Sequence, residues 1–499
     1  MHLFALWALR DLAGLPISPW AVLIFVFGGS LLAAVNHTRI EVKIPYLFNS
    51  LEHDTHHRFS SYNYAQYTQL FDWMVGTFKE WSEPPALPQR ATPAPPLATL
   101  PSCPKGDAPA VCVVTGGSGL VGARLVAMLL ERGAQRVLSL DLTLPPPLPP
   151  SSLRLRHAVC DITSAAAEEE LAGHFEGASA VFHCAALVGP GFPAAAYWAV
   201  NAGGTAAVTA AAARAGVRVL VLTSSPTILL KGGDVRNAGE ADLVAPATPQ
   251  EHLHEYSRSK AEGTWAGLRA ARAAGIAACA VAPHQVYGPR DRLFLPALLR
   301  AARGGLLRVF GPGDNLISLC HVDNCAHAHI LAAGALRRGD RGVEGELFLV
   351  TDTGAVYLWD AISAAAEQCG LGSLENRCHL SPPLLYAAAY ASAAVSAVMT
   401  AVAGGRSTTF TPFAVRMLLI DRWFDVSKAV KRLGYRPLVS FQREWPRVVA
   451  AAWERIQEGQ PAALEVGTAA AAAVPPAVGA PCAALKGRSS SAAKRRSYT

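Results

Sequence analysis

The chain is short of charge. Asp, Glu, Lys and Arg make up 16% of its 499 residues against 51% hydrophobic positions, and the formal net charge is +7. Five of the positive charges, Lys486, Arg488, Lys494, Arg495 and Arg496, crowd the last residues, so the rest is close to neutral. No nucleic-acid motif accompanies that basic end, which suits a solvated terminus or a touch on anionic lipid, and nucleic acid is excluded as a partner. The ten cysteines are scattered with no Cys-x-x-Cys. That spacing argues against a disulfide framework and for reduced thiols facing the cytosol. A secretory signal fits the start poorly and is not expected, because Asp11 interrupts it and no small-residue cleavage site precedes the histidines at 53–57.

What the chain does have is a glycine turn in the right surroundings. Thr115-Gly116-Gly117-Ser118-Gly119-Leu120-Val121-Gly122 follows an apolar run, Ala110 to Val114, and opens a helical pattern, Ala123 to Glu131. Gly-x-Gly-x-x-Gly between a strand and a helix permits a tight turn and close backbone approach to a pyrophosphate at the helix N-terminus. About twenty residues on, the apolar run Arg136 to Leu140 ends at Asp141, the acid expected to meet a ribose diol. Its carboxylate would repel a 2′-phosphate, so the expected cofactor is NAD. Arg136 and Arg154 keep NADP as the alternative.

A second stretch carries the chemistry. Tyr256 and Lys260, in Tyr256-Ser257-Arg258-Ser259-Lys260, sit four apart and share one face of a helix. An ammonium beside a buried phenol stabilises the phenolate, which makes Tyr256 a candidate general base. Upstream, the strand pattern Val217 to Leu222 ends in Thr223-Ser224-Ser225 and offers a hydroxyl to orient a substrate oxygen.

Together these motifs resemble an extended short-chain dehydrogenase of the 3β-hydroxysteroid dehydrogenase family, over residues 110 to about 450. The resemblance runs through Asp161-Ile162, Phe182-His183-Cys184-Ala185-Ala186, Asn201-Ala202-Gly203-Gly204-Thr205, and the Tyr256/Lys260 pair. It continues through Pro283-His284-Gln285-Val286-Tyr287-Gly288-Pro289-Arg290-Asp291, His321-Val322-Asp323-Asn324 and Leu433-Gly434-Tyr435-Arg436-Pro437. The Pro-His-x-x-x-Gly-Pro-Arg-Asp stretch, with Thr409-Phe410-Thr411-Pro412, is most similar to the branch of decarboxylating sterol-4α-carboxylate 3-dehydrogenases. The resemblance implies a doubly wound parallel α/β sheet of the Rossmann type with a smaller C-terminal substrate region. It implies that Gly116, Gly117, Gly119, Leu120, Val121, Gly122 and Asp141 hold the cofactor, and that Asp161 and Ile162 lie near its adenine. Ala185, Ala186 and Pro283 would line the cleft, Asn201 would brace the active-site strand, and Ser225, with Ser224 the alternative, would bond the substrate 3-oxygen. Ala282 stands where the family usually has arginine.

The implied reaction is oxidation of a sterol 3β-hydroxyl, with Tyr256 taking the proton and Lys260 assisting. A carboxyl at C4 would then leave as carbon dioxide from the β-keto acid. Two rivals share the same pair: a 3β-hydroxysteroid dehydrogenase with isomerase activity, and a sugar-nucleotide epimerase or reductase. A non-catalytic NAD-binding membrane scaffold is the alternative of another class. Partners implied by the resemblance are a sterol, a membrane and other sterol C4-demethylation enzymes. The implied location is the endoplasmic reticulum membrane, with the catalytic domain facing the cytosol.

The N-terminal 1–83 reads differently. Trp20 to Val35 is apolar and uncharged, somewhat short for a transmembrane helix. It leads to His37, then His53, His56 and His57, followed by Asn63-Tyr64-Ala65-Gln66-Tyr67 and Phe71-Asp72-Trp73. This resembles the C-terminal end of the fatty acid hydroxylase and sterol desaturase superfamily, a helical membrane-associated segment. Those enzymes hold two irons with three histidine clusters, of which one is present. Its histidines are a residual iron site or polar groups on an exposed helix end. A proline-dense linker spans 84–109, the dehydrogenase domain 110–460, and an Ala/Pro/Ser-rich basic tail expected to be disordered 461–499. Thr143 to Ser152 reads as a proline-rich loop, and Leu384 to Ala403 as a second, alanine-rich membrane candidate with a buried core helix as its rival. Cys320 to His329 has the composition of a metal cluster but reads as a strand end leading into a helix.

Overall fold

A computed structural model of the protein describes residues 108–459 apart from 145–152, 190, 244, 353, 375–376 and 404–409, together with the antiparallel pair Lys43–Ile44 and Phe48–Asn49. The chain divides into two units, Met1–Ala94 and Pro95–Thr499. The histidines His53, His56 and His57, the Trp20 to Val35 segment, nearly all of the 84–109 linker and the 461–499 tail lie outside the described residues.

The second unit is built on seven parallel strands: β1 Val111–Thr115, β2 Arg136–Asp141, β3 Leu155–Val159, β4 Ala180–His183, β5 Val219–Thr223, β6 Ala277–Pro283 and β7 Leu347–Val350. Their spatial order is β3-β2-β1-β4-β5-β6-β7, so the winding reverses between β1 and β4. The central strands are continuous apolar runs because both faces are covered. Cys112 and Val114 point to a core shared with α1 (Leu120–Glu131) and a later helix, Val322–Arg337. Val113 points the other way, to a core shared with α2 (Ala167–Phe175), α3 (Thr205–Arg214) and α4 (Glu255–Ala273). Two-residue alternation thus builds a separate hydrophobic layer on each face of one sheet. This is the doubly wound parallel α/β fold.

The smaller lobe is less C-terminal than the sequence suggests. Its four-stranded sheet joins Val356–Tyr357, Leu316–Ile317, Arg422–Phe424 and Val235–Ala238, two of them drawn from the middle of the chain. Strands of two to four residues carry too little alternation to be read in advance. A core of Tyr287, Leu299, Trp359 and Trp445 fills this lobe.

The 384–403 stretch forms a helix, Pro382–Ala403, whose Leu385 and Ala389 pack on Val415 of the helix Pro412–Leu419. Among the described residues no helix is long and apolar enough to cross a membrane.

Candidate active site

The site begins at the winding reversal, where the carboxyl ends of β1 and β4 meet. Gly116 has φ +71°, and a Cβ there would stand 2.6 Å from the Ala185 nitrogen. A Cβ on Gly117 would stand 2.1 Å from Ser139 Oγ, and one on Gly122 2.1 Å from the Gly116 oxygen. At these three positions a side chain would collide with its neighbours. Helix α1 then opens at Leu120 with Gly119 as an N-cap that offers no side chain, leaving its first-turn N–H groups without a side-chain acceptor. Val121 packs into the core beneath. Asp141, at the end of β2, accepts the Ser118 N–H at 2.9 Å and the Leu142 N–H at 2.8 Å. Its carboxylate is therefore fixed beside the glycine turn.

Asp161 caps its own loop, accepting the Thr163 N–H at 2.8 Å and hydroxyl at 2.7 Å. Ile162 lies against Gly204, where a Cβ would come within 2.5 Å of its Cδ1. Ala185 and Ala186 are half-buried just past β4, and Pro283 is buried at the end of β6.

Asn201 is fully buried in a π-helical turn, Trp198–Gly204, which the sequence did not announce. Its amide accepts the Leu187 N–H at 2.9 Å and donates to the Leu187 carbonyl at 3.2 Å. It also donates to Ser259 Oγ at 3.2 Å, and Ser259 donates to the Tyr256 carbonyl at 3.0 Å. One side chain thus ties the loop after β4 to helix α4.

Helix α4 places Tyr256 and Lys260 on one face. Lys260 is 4% exposed, and none of the described residues hydrogen-bonds its ammonium. Burial pulls its pKa down to about 8. The Tyr256 phenol is pushed up by burial, an effect partly offset by the Ser225 hydroxyl. The spacing had suggested that Lys260 itself eases the phenol. Its charge is instead felt at His183 and Cys184, at the end of β4, where the cleft floor lies. The adjacent serines, which spacing left open, separate clearly: Ser224 Oγ bonds Thr264 Oγ1 at 2.9 Å, whereas Ser225 faces Tyr256 and bonds Thr227 Oγ1 at 2.9 Å.

An aromatic wall flanks the phenol, and the sequence reading missed it. The Tyr197 ring lies 6.2 Å from that of Tyr256, 5.8 Å from Phe192 and 5.4 Å from His254, and His254 lies 4.9 Å from Phe413. Only the position of His254, two residues before Tyr256, offered a signal, that of a cap on helix α4. Distances of this kind join segments 221 residues apart, beyond any local pattern. The histidines of the 320–329 stretch have separate tasks: His321 caps its helix through the Asp323 N–H, His327 meets Arg132, and His329 meets Thr223.

A parallel sheet with a glycine turn at its switch point, and a Tyr-x-x-x-Lys helix across the cleft, defines an extended short-chain dehydrogenase scaffold. Residues 113–380 match the 3-beta hydroxysteroid dehydrogenase/isomerase family. The chain is 32% identical to 3beta-hydroxysteroid-dehydrogenase/decarboxylase isoform 1 of Arabidopsis thaliana, an alignment covering 68% of this chain and 78% of that relative. It is 31% identical to the decarboxylating sterol-4-alpha-carboxylate 3-dehydrogenase of Homo sapiens, covering 68% of this chain and 87% of the other. Among solved structures it is similar to UDP-glucuronic acid 4-epimerase from Bacillus cereus in complex with NAD, with a TM-score of 0.52 at 20% identity over 70% of this chain and 100% of that one. The chain belongs to the 3-beta hydroxysteroid dehydrogenase/isomerase family and is an oxidoreductase.

Proposed function

We propose that the protein oxidises the 3β-hydroxyl of a 4α-carboxysterol, with loss of the carboxyl group, using NAD. One observation carries the reading: the helix that sets the Tyr256 phenol against the Ser225 hydroxyl also holds a buried Lys260 ammonium whose charge is felt at His183 and Cys184, next to the Ala185 that leaves Gly116 no room for a side chain. These residues suit a dinucleotide. A buried ammonium without a partner costs several kcal/mol unless something polar meets it, and a nicotinamide ribose supplies hydroxyls. The Gly116–Gly122 turn and the open N-terminus of α1 suit its pyrophosphate. Asp141, already anchored by two N–H groups, suits a ribose diol and opposes a 2′-phosphate.

An NAD held by the Gly116–Gly122 turn and Asp141 would supply the hydride acceptor for C3. Ser225 orients the 3-oxygen and Tyr256 receives its proton. The product is a 3-ketone. With a carboxylate at C4, the bond from C4 to the carboxyl carbon breaks, its electron pair moves toward C3, and the C3 oxygen takes the negative charge as carbon dioxide departs. Tyr256, now protonated, donates a hydrogen bond to that oxygen.

The sterol assignment is supported by the likeness to the Arabidopsis 3beta-hydroxysteroid-dehydrogenase/decarboxylase and the human sterol-4-alpha-carboxylate 3-dehydrogenase and by the wall of Phe192, Tyr197, His254 and Phe413, which suits a flat apolar ring system. Attachment to a membrane surface is supported by the helix Pro382–Ala403, which has no charged residue and leaves Leu384 and Val395 57% and 64% exposed. The endoplasmic reticulum, with the catalytic unit on the cytosolic side, is the location such a substrate favours. The test is incubation of the purified full chain with NAD and a 4α-carboxy-3β-hydroxysterol, following NADH by absorbance and sterols by mass spectrometry. A 3-ketosterol lighter by carbon dioxide is expected. Turnover of a sugar nucleotide with none of the sterol would overturn the proposal.

A further inference from the structure

Resting on the sterol-carboxylate reading, we infer that His254 is the residue that recognises the substrate's carboxylate, through an uncharged Nε2–H. The imidazole caps helix α4, its Nδ1 accepting the Tyr256 N–H at 3.0 Å. Because Nδ1 accepts, the ring proton of the neutral imidazole sits on Nε2. Nε2 has no hydrogen-bond partner among the described residues and is not sealed from solvent. A donor two residues from the catalytic phenol is thus left open.

Its surroundings place it on the substrate side. The ring stands edge-on to Tyr197 at 5.4 Å, and Tyr197 stands 6.2 Å from Tyr256. Phe413 closes the opposite side at 4.9 Å. The neighbouring acid does not occupy the donor: Glu255 accepts from Trp198 Nε1 at 2.8 Å and from Arg258 Nη1 at 3.4 Å. Burial among these rings also holds the imidazole pKa below its ordinary value, so the group stays neutral.

Neutrality suits the chemistry. Decarboxylation disperses the carboxylate's charge into the C3 oxygen, so a cation clamped on the carboxylate would stabilise the ground state more than the transition state. A neutral N–H in an apolar wall identifies the carboxylate while leaving it poorly solvated, which favours its departure. A C4 carboxylate lies next to the C3 oxygen that Tyr256 and Ser225 address, so donor and phenol serve adjacent atoms of one ring.

The experiment uses His254→Asn in the full chain, since asparagine Oδ1 still accepts the Tyr256 N–H as an N-cap while its amide N–H groups stop one bond short of the Nε2 position. Dissociation constants are measured in the NADH complex, where no alcohol reacts, for a 4α-carboxy-3β-hydroxysterol and for its 4α-methyl counterpart. The expected result is weakening of the carboxylated sterol by roughly ten- to a hundredfold, the scale of one hydrogen bond to a charged group, with the methyl sterol within about twofold. Equal weakening of both would reduce His254 to a structural cap, and no change in either would remove it from recognition. Arg416, on the same helix as Phe413 with its guanidinium beside Gly232, is the rival cation; loss of the preference in Arg416→Gln but not in His254→Asn would assign the carboxylate to it instead. Should the wild-type protein bind neither sterol, the sterol reading itself fails, independently of His254.

Discussion

A methyl group on Gly263 would stand 2.0 Å from the backbone oxygen of Asn201. Helix α4 and the π-helical turn therefore touch through bare backbone, one turn beyond Lys260. Thr205 Oγ1 donates to the same oxygen at 2.7 Å from within the helix that continues the π turn, which leaves no room for a side chain on the α4 side. The π turn widens the helix at the point where Asn201 must reach both Leu187 and Ser259, a common use of such turns near functional sites.

Gly263→Ala should therefore push α4 away from the π turn and disturb Tyr256 and Lys260 together. The expected cost is about 1–3 kcal/mol of stability, as for other overpacked positions, with a clear fall in kcat. Gly173→Ala, on α2 with nothing within 4 Å of the added carbon, is the control and should change neither. Thermal unfolding and NADH formation, measured side by side, check both. Equal behaviour of the two variants would show that the contact has slack.

The two serines after β5 should differ in kinetics as they differ in structure. Ser225→Ala removes the hydroxyl facing Tyr256 and should lower kcat about a hundredfold, while Ser224→Ala loses only the bond to Thr264 and should lower stability more than kcat. Tyr256→Phe should abolish NADH formation while leaving cofactor binding intact. Steady-state kinetics and NADH fluorescence titrations separate these effects, and full turnover by Tyr256→Phe would remove the phenol from its role.

The pH profile follows from the same pair. Lys260 is drawn down to about 8 and Tyr256 is raised, both by burial, and the reactive form has released one proton from the two together. Neutral Lys with phenol, and ammonium with phenolate, are tautomers of that one state. Since the first proton is lost near pH 8, kcat/KM should climb about tenfold per unit below it and flatten above. A profile flat from pH 6 to 9 would contradict this. Lys260→Met should shift the rise to higher pH, because the phenol, held up by burial, is then the only one of the two groups left to release the proton.

Cofactor choice rests on Asp141. Replacing it with Ala frees the N–H groups of Ser118 and Leu142 for a 2′-phosphate and removes the repulsion. The expected outcome is a KM for NAD raised about tenfold and measurable use of NADP. Wild-type preference for NADP would refute the assignment.

The sheet and its glycine turn were legible because each depends on neighbours in sequence. Val111 to Thr115, the glycines and α1 form one continuous stretch, and Tyr256 and Lys260 share one helix. The wall was not legible, since Phe192, Tyr197, His254 and Phe413 meet only after the small lobe folds back on the sheet. The small lobe's own strands, such as Leu316–Ile317, are too short for alternation to show. The choice between Ser224 and Ser225 likewise needed a backbone, because adjacent residues at a strand end point to opposite sides.

The outer face of the helix Pro382–Ala403 gives the last prediction. Its inner side packs through Leu385 and Ala389, yet Leu384, Tyr390 and Val395 remain 57%, 64% and 64% exposed with no charge among them. A helix facing water normally carries polar residues outward, whereas one lying in a lipid interface does not. That helix packs on Pro412–Leu419, which carries the Phe413 of the wall, so a sterol leaving the bilayer would meet the cleft within one element. Replacing Leu384 and Val395 together with glutamate should lower partitioning onto phospholipid vesicles about tenfold or more, while turnover of a detergent-dispersed sterol stays unchanged. Flotation of the full chain with vesicles measures the first and NADH formation the second. If partitioning is unaffected, the apolar face serves some contact other than lipid, and the substrate must reach Tyr256 by another route.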